Sequence, residues 1–213
     1  MNEKLVRIRT RTTAMRRLAG VALMVGGIGA AAPSAHAGLL VESAPDCTGQ
    51  VLEQPFKAWK DYANYTLVPG GAFEDGAPGW KLSKARIVSG NETYYVRGRS
   101  DSRSLELRAG SVATSPTICV GLEHPTMRFF ARSSGVLPLM TVEVLVETSA
   151  GLVVPVPIGV VTPSAKWRPT LPFLVVANLL PLLPGEHTPV AFRFRAVTGT
   201  WAIDDVYVDP KRR

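Results

Sequence analysis

Thr141-Val142-Glu143-Val144-Leu145-Val146-Glu147 is the stretch that decides how this chain folds. Val142, Val144 and Val146 fall on one side of an extended backbone, and Thr141, Glu143, Leu145 and Glu147 on the other. Side chains alternate across a strand with period 2, so the stretch reads as a half-buried β-strand; a helix would space its apolar residues by three and four. Ser149-Ala150-Gly151 follows, and then the apolar run Leu152–Pro157, so the pair predicts a hairpin. The same alternation recurs outward in both directions. Leu105 and Leu107 alternate with Glu106 and Arg108, Phe192 and Phe194 with Arg193 and Arg195, and Trp201 and Ile203 with Ala202 and Asp204. Clusters such as Pro69-Gly70-Gly71, Ser89-Gly90-Asn91, Ser133-Ser134-Gly135 and Thr198-Gly199 punctuate the strands. Roughly eight to ten short strands with no long helix predict an all-β fold, a two-sheet antiparallel β-sandwich that buries many one-sided strands against each other. Phe173–Leu183 is a nearly continuous apolar run, read as a core strand leading into a loop or as an apolar patch that meets a partner.

The N-terminus carries a different signal. Lys4, Arg7, Arg9, Arg11, Arg16 and Arg17 precede an apolar stretch from Leu18 to Ala32, then Pro33 and the small-residue site Ala35-His36-Ala37. That three-part pattern predicts a secretory signal peptide over residues 1–37, cleaved after Ala37. The stretch is too short and too rich in glycine for a membrane anchor, so no stable span is expected after cleavage. Residues 38–64 form a lead-in, where Leu52, Phe56 and Trp59 are compatible with one short helix; residues 65–213 form the sandwich domain. Of the net charge of +7, the first 37 residues hold +5, from six basic residues against Glu3, which leaves +2 for the exported part. That is no clustered basic face, and a nucleic-acid partner is not expected. Cys47 and Cys119 both lie in the exported part and are expected to pair as a disulfide, because export places them in an oxidising compartment.

Two motifs carry a resemblance. Gly71-Ala72-Phe73-Glu74-Asp75-Gly76 leads to Trp80, and Trp201-Ala202-Ile203-Asp204-Asp205-Val206-Tyr207-Val208 stands near the C-terminus. In this order and separation they resemble the opening and closing strands of galactose-binding-like jelly rolls, including the carbohydrate-binding modules of secreted glycoside hydrolases. The resemblance covers about residues 66–210, and Trp167 is similar to the tryptophan such domains carry ahead of their last strands. It implies a jelly-roll sandwich with first and last strands adjacent. It also implies a structural calcium ion, with Glu74 and Asp204, or alternatively Asp205, as its carboxylate ligands; calcium takes six to eight oxygens, so backbone carbonyls would supply the rest. Alternation places Glu74 and Asp204 away from the core, where they could converge. For a sugar ligand the candidates are Tyr94, Tyr95, Arg97 and Trp167, whereas Trp80, Phe129, Phe130, Phe192 and Phe194 fall at core positions.

Catalytic signatures are missing. After residue 37 the histidines are His124 and His187, and the sequence has no G-x-S-x-G elbow, H-E-x-x-H, P-loop or dinucleotide fingerprint. The expectation is a secreted, non-enzymatic module that binds carbohydrate or another cell-envelope ligand, without an organic cofactor. The alternatives are a structural or adhesive exported protein, for which an apolar patch at Leu179–Leu183 would speak, and a glycoside hydrolase with a facing carboxylate pair.

Overall fold

A computed structural model describes residues 40, 43, 47, 49–121, 125–148, 150–175 and 187–210. The expected signal peptide over 1–37 and the apolar patch weighed at Leu179–Leu183 lie outside the described residues, as does Ser149 in the hairpin turn. Nine strands are described: β1 (Thr66–Leu67), β2 (Lys81–Ser89), β3 (Arg103–Thr114), β4 (Ile118–Val120), β5 (Thr126–Glu147), β6 (Val153–Val160), β7 (Arg168–Pro169), β8 (Phe173–Leu174) and β9 (Thr188–Asp209). All pairings are antiparallel, in the order β2-β3-β9-β5-β6, with β1 and β4 on β9 and β7 and β8 on β5. The expected hairpin is β5–β6, paired from Glu147↔Val153 to Thr141↔Val160 with a bulge between Val142 and Glu143.

The fold is an antiparallel β-sandwich, and its two layers are halves of one hydrogen-bonded sheet. β5 and β9 pair along nearly their whole length and pass through both layers. The turn between layers falls where Ser134 pairs Thr200 but Leu139 pairs Thr198, so extra residues bulge out of β5. Here Gly135, Leu137 and Gly199 all have positive φ. A Cβ on Gly199 would meet Pro138 Cβ at 2.6 Å and the Ser134 carbonyl at 2.8 Å, so only glycine fits that crossing. The bulge also reverses which residues face inward: Met127, Phe129 and Ala131 before it, Met140, Val142, Val144 and Val146 after it. Folding the sheet over brings Phe129 of one half edge-on against Phe194 of the other, with centroids 5.2 Å apart. Trp80 stacks on the same Phe194 and meets Phe73, the aromatic of the opening motif. On the edge strand β6, Pro155 and Pro157 blunt the sheet against further strand addition.

The outer face of one half is not left to solvent. Phe130, Ala202 and Tyr207 point outward from β5 and β9, and Phe56, Tyr65 and Trp167 cover them as a second buried cluster. The short helix expected within Val51–Tyr62 reduces to a single 3-10 turn, Lys57–Trp59; Leu52 is exposed while Phe56 is fully buried. Arg128 of β5 fastens this cover. Its guanidinium lies 4.3 Å from the Phe56 ring centre, donates to the Thr170 carbonyl and pairs with Asp61 at 2.5 Å. Burial alone would raise the Asp61 carboxyl, but hydrogen bonds from the Tyr65 hydroxyl, Arg128 and the Ala63 N–H outweigh it and hold the group below its ordinary value. Cys47 and Cys119 form a disulfide that links the N-terminal segment to β4, with Cα atoms 5.4 Å apart.

Candidate functional site

The sequence places Tyr94, Tyr95 and Arg97 in one short stretch, and the structure puts that stretch in the loop of residues 90–102 between β2 and β3. Tyr94 and Tyr95 are about half exposed. Tyr94 turns its ring edge-on to Trp59, with centroids 4.8 Å apart and planes at 88°. It also leans on Phe130, and its hydroxyl donates to the Trp167 carbonyl at 3.0 Å. Trp59 is held from below by Phe56 and Phe130. Trp59 and Tyr94 therefore form the aromatic lip of a groove of about 570 Å³, completed by Gln54, Pro55, Ala58 and Val96.

The other candidates divide. Trp167 is 5% exposed, and Arg132 lies 5.1 Å from its ring centre, so its face is closed to a stacking ligand; its part at the groove is the carbonyl that anchors Tyr94. Arg97 faces Asp101 at 3.9 Å. A wider cavity of about 640 Å³ lies between β6 and the 162–174 segment, lined by Ile158, Val160, Arg168, Leu171 and Phe173 among others. Its one aromatic ring, Phe173, is buried, so the Trp59–Tyr94 groove is the better match to a ring-shaped ligand.

Asp204 lies on the outer face of β9, as alternation puts it, but that face does not reach solvent. Asp204 and Asp205 are fully buried rather than turned out to solvent, because the lead-in covers the outer face of β9 as the core covers the inner one. Asp204 Oδ2 accepts the Glu92 N–H and its Oδ1 accepts the Asp205 N–H. Both oxygens of Asp205 are buried without a hydrogen-bond partner, and its φ is +48°. Burial first, and then the neighbouring Asp205 and Glu92 charges, raise Asp204 to about 9, against the two backbone hydrogen bonds. Burial, Glu92, Asp101 and Glu53 raise Asp205 to about 8 against Arg97. Glu74 is engaged elsewhere: it accepts the backbone N–H groups of Ser102 and Arg103 at 2.9 and 2.8 Å. Among the described residues no three acidic, histidine or cysteine side chains converge on a point that could hold a metal ion, so the calcium set of Glu74, Asp204 and Asp205 does not fit this arrangement.

Two residues of the site escaped the sequence reading. Trp59 shares its spacing with Phe56 and reads as part of a helical apolar face. Glu92 lies in a polar turn with no periodicity to mark it as buried, yet it is fully enclosed.

No family model and no curated protein matches the chain. Solved structures are similar to it in outline. The enzymatically active domain of bacteriophage CBA120 tailspike protein 4 superposes with a TM-score of 0.46 at 16% identity, over 66% of this chain and 21% of that one. The N-terminal CBM22-1–GH10 modules of Clostridium thermocellum endo-1,4-β-D-xylanase 10B, complexed with xylohexaose, give 0.45 at 13%, over 65% and 27%. The C-terminal CBM6 of LamC, a marine laminarinase from Zobellia galactanivorans, gives 0.45 at 11%, over 68% and 99%. The chain spans about a fifth of the first of these and about a quarter of the second.

Proposed function

We propose that this chain is an exported, non-catalytic carbohydrate-binding protein whose sugar site is the Trp59–Tyr94 groove. The observation that carries the reading is the pair of partly exposed aromatic side chains, braced from behind by Phe130 and set at the lip of an open groove. Pyranose rings offer apolar C–H faces that pack on such side chains, while their hydroxyls keep contact with water and nearby polar groups such as Gln54. The motif resemblance of the opening and closing strands supports the same reading. One or two stacking contacts offset the cost of ordering a polar ligand only modestly, so a dissociation constant of about 0.1 mM is expected.

Calorimetric titration with soluble xylan, laminarin and β-1,4-galactan tests the site. Trp59→Ala and Tyr94→Ala each weaken binding by about tenfold or more, and Tyr94→Phe, which keeps the ring, weakens it less. Binding by both alanine variants at the unmodified strength would remove the groove from consideration. Export is tested separately, by the intact mass of the protein recovered outside the cell. The three-part N-terminal pattern predicts a chain that starts at Gly38, and a product that retains Met1 or the basic segment would refute it.

A further inference from the structure

The aromatic lip of the groove is not self-supporting. Tyr94 stands next to Tyr95, whose φ of +52° is a left-handed conformation that costs about 1–2 kcal/mol for a residue with a Cβ. The backbone must be held there, and Glu92 holds it. Its fully buried carboxylate accepts the N–H of Val96 through Oε1 at 2.8 Å and the N–H of Tyr94 through Oε2. The amides on either side of the left-handed residue thus converge on the two oxygens of one carboxyl group. In the opposite direction the Glu92 N–H donates to Asp204 Oδ2 at 2.9 Å. Asp204 belongs to β9, the strand that pairs with β5, β3, β1 and β4 and so runs through the middle of the sheet. A continuous path therefore leads from the most constrained strand, through Glu92, to the backbone that carries Tyr94.

We propose that Glu92 is the positioning residue of the groove: its carboxylate fixes the backbone of residues 94–96 so that the Tyr94 ring stands against Trp59. The inference rests on the reading of this groove as the sugar site. Glu92 does not touch the ligand; it acts through Tyr94. Alanine at this position leaves two loop N–H groups without their acceptor and removes the reason for the left-handed turn at Tyr95. Glutamine restores only part of the arrangement, because its amide oxygen can accept one N–H while its NH₂ group meets the second donor as a donor.

The chain reports on its own groove. Of its four tryptophans, Trp80, Trp167 and Trp201 are buried and Trp59 is partly exposed, so acrylamide quenching of the fluorescence reads chiefly Trp59. A Trp59→Phe variant identifies that component. In Glu92→Ala the quenching of Trp59 rises well below the unfolding temperature, as the Tyr94 ring leaves it, and Glu92→Gln falls between this variant and the unmodified protein. Affinity for soluble xylan, where the unmodified protein binds it, falls about tenfold in Glu92→Ala. If the alanine variant does not fold, the glutamine variant carries the test. A lower melting temperature with unchanged quenching in both variants would show a purely structural role and overturn the proposal. Changed quenching in a protein that binds no polysaccharide would uphold the positioning role and overturn the sugar-site reading instead.

Discussion

Replacing Cys47 with serine and Cys119 with alanine lowers the unfolding free energy by about 4 kcal/mol and the melting temperature by roughly 10 °C. The bridge joins residues 72 positions apart, so it removes a large closed loop from the conformations open to the unfolded chain. Alanine is the right replacement at position 119 because Cys119 is fully buried, and a hydroxyl there would add a polar group in need of a partner. The effect has a folded-state side as well. The bridge draws the N-terminal segment onto β4, where the Gln50 side chain donates to the Cys119 carbonyl at 2.9 Å and Ser43 bonds the Thr117 hydroxyl at 2.6 Å. These contacts loosen with the bridge, so limited proteolysis of the variant should open the chain N-terminal to Val51 before the sheet is cut. Thermal unfolding of the oxidised protein, the protein with dithiothreitol, and the double variant are the three measurements. Coincident curves would mean that the bridge adds nothing.

The hairpin of β5 and β6 was legible because Val142, Val144 and Val146 are buried on one face while Thr141, Glu143 and Glu147 on the other are only partly so, a difference that lets period 2 speak. The closing strand defeated the same rule. Trp201 and Ile203 do face the core, but Asp204 is just as enclosed, because Phe56, Tyr65 and Trp167 cover the back of the sheet at Ala202 and Tyr207. A strand buried on both faces leaves no polar side for alternation to report, and two of the residues that cover it, Phe56 and Tyr65, lie more than a hundred positions earlier. The crossing at Gly199 was visible only as a turn-forming dipeptide, Thr198-Gly199. That it folds β9 from one layer into the other follows from its clash distance to Pro138, a long-range fact. Tyr94 was legible as a candidate because it is an aromatic residue in a polar loop. Its partner Trp59 was not, since a tryptophan spaced at i, i+3 from a phenylalanine reads as core. Glu92 left no mark at all: a buried carboxylate bound by its own loop's amides looks, in sequence, like any charged turn residue.

That enclosure gives the second large effect: in excess chelator the melting temperature falls as pH rises from about 5 to about 9. In the unfolded chain Asp204 and Asp205 ionise near the ordinary value of 3.8; in the folded protein burial and like charges raise them to about 9 and about 8. Over that window the folded state holds protons that the unfolded state has released. Stability is therefore full below about pH 4 as far as these two groups are concerned, and is lost as pH climbs through the folded values. Each group contributes a slope of at most about 1.4 kcal/mol per pH unit in that window. Asp205→Asn removes the ionisation while keeping the shape, and because neither oxygen of Asp205 has a hydrogen-bond partner, no existing bond is broken by the change. This variant flattens the profile and melts higher than the unmodified protein at pH 9. Asp204→Asn flattens it as well, but its Oδ1 and Oδ2 accept the Asp205 and Glu92 N–H groups, so the amide loses one of those two bonds and the gain at pH 9 is smaller. The calcium expected from the motif resemblance makes the opposite prediction. A cation that replaced the protons would raise the melting temperature most at high pH, where the carboxylates are free to bind it, and chelator would reverse the gain. A pH profile that is already flat in chelator, and unchanged in Asp205→Asn, would show that neither carboxyl is held protonated by the fold.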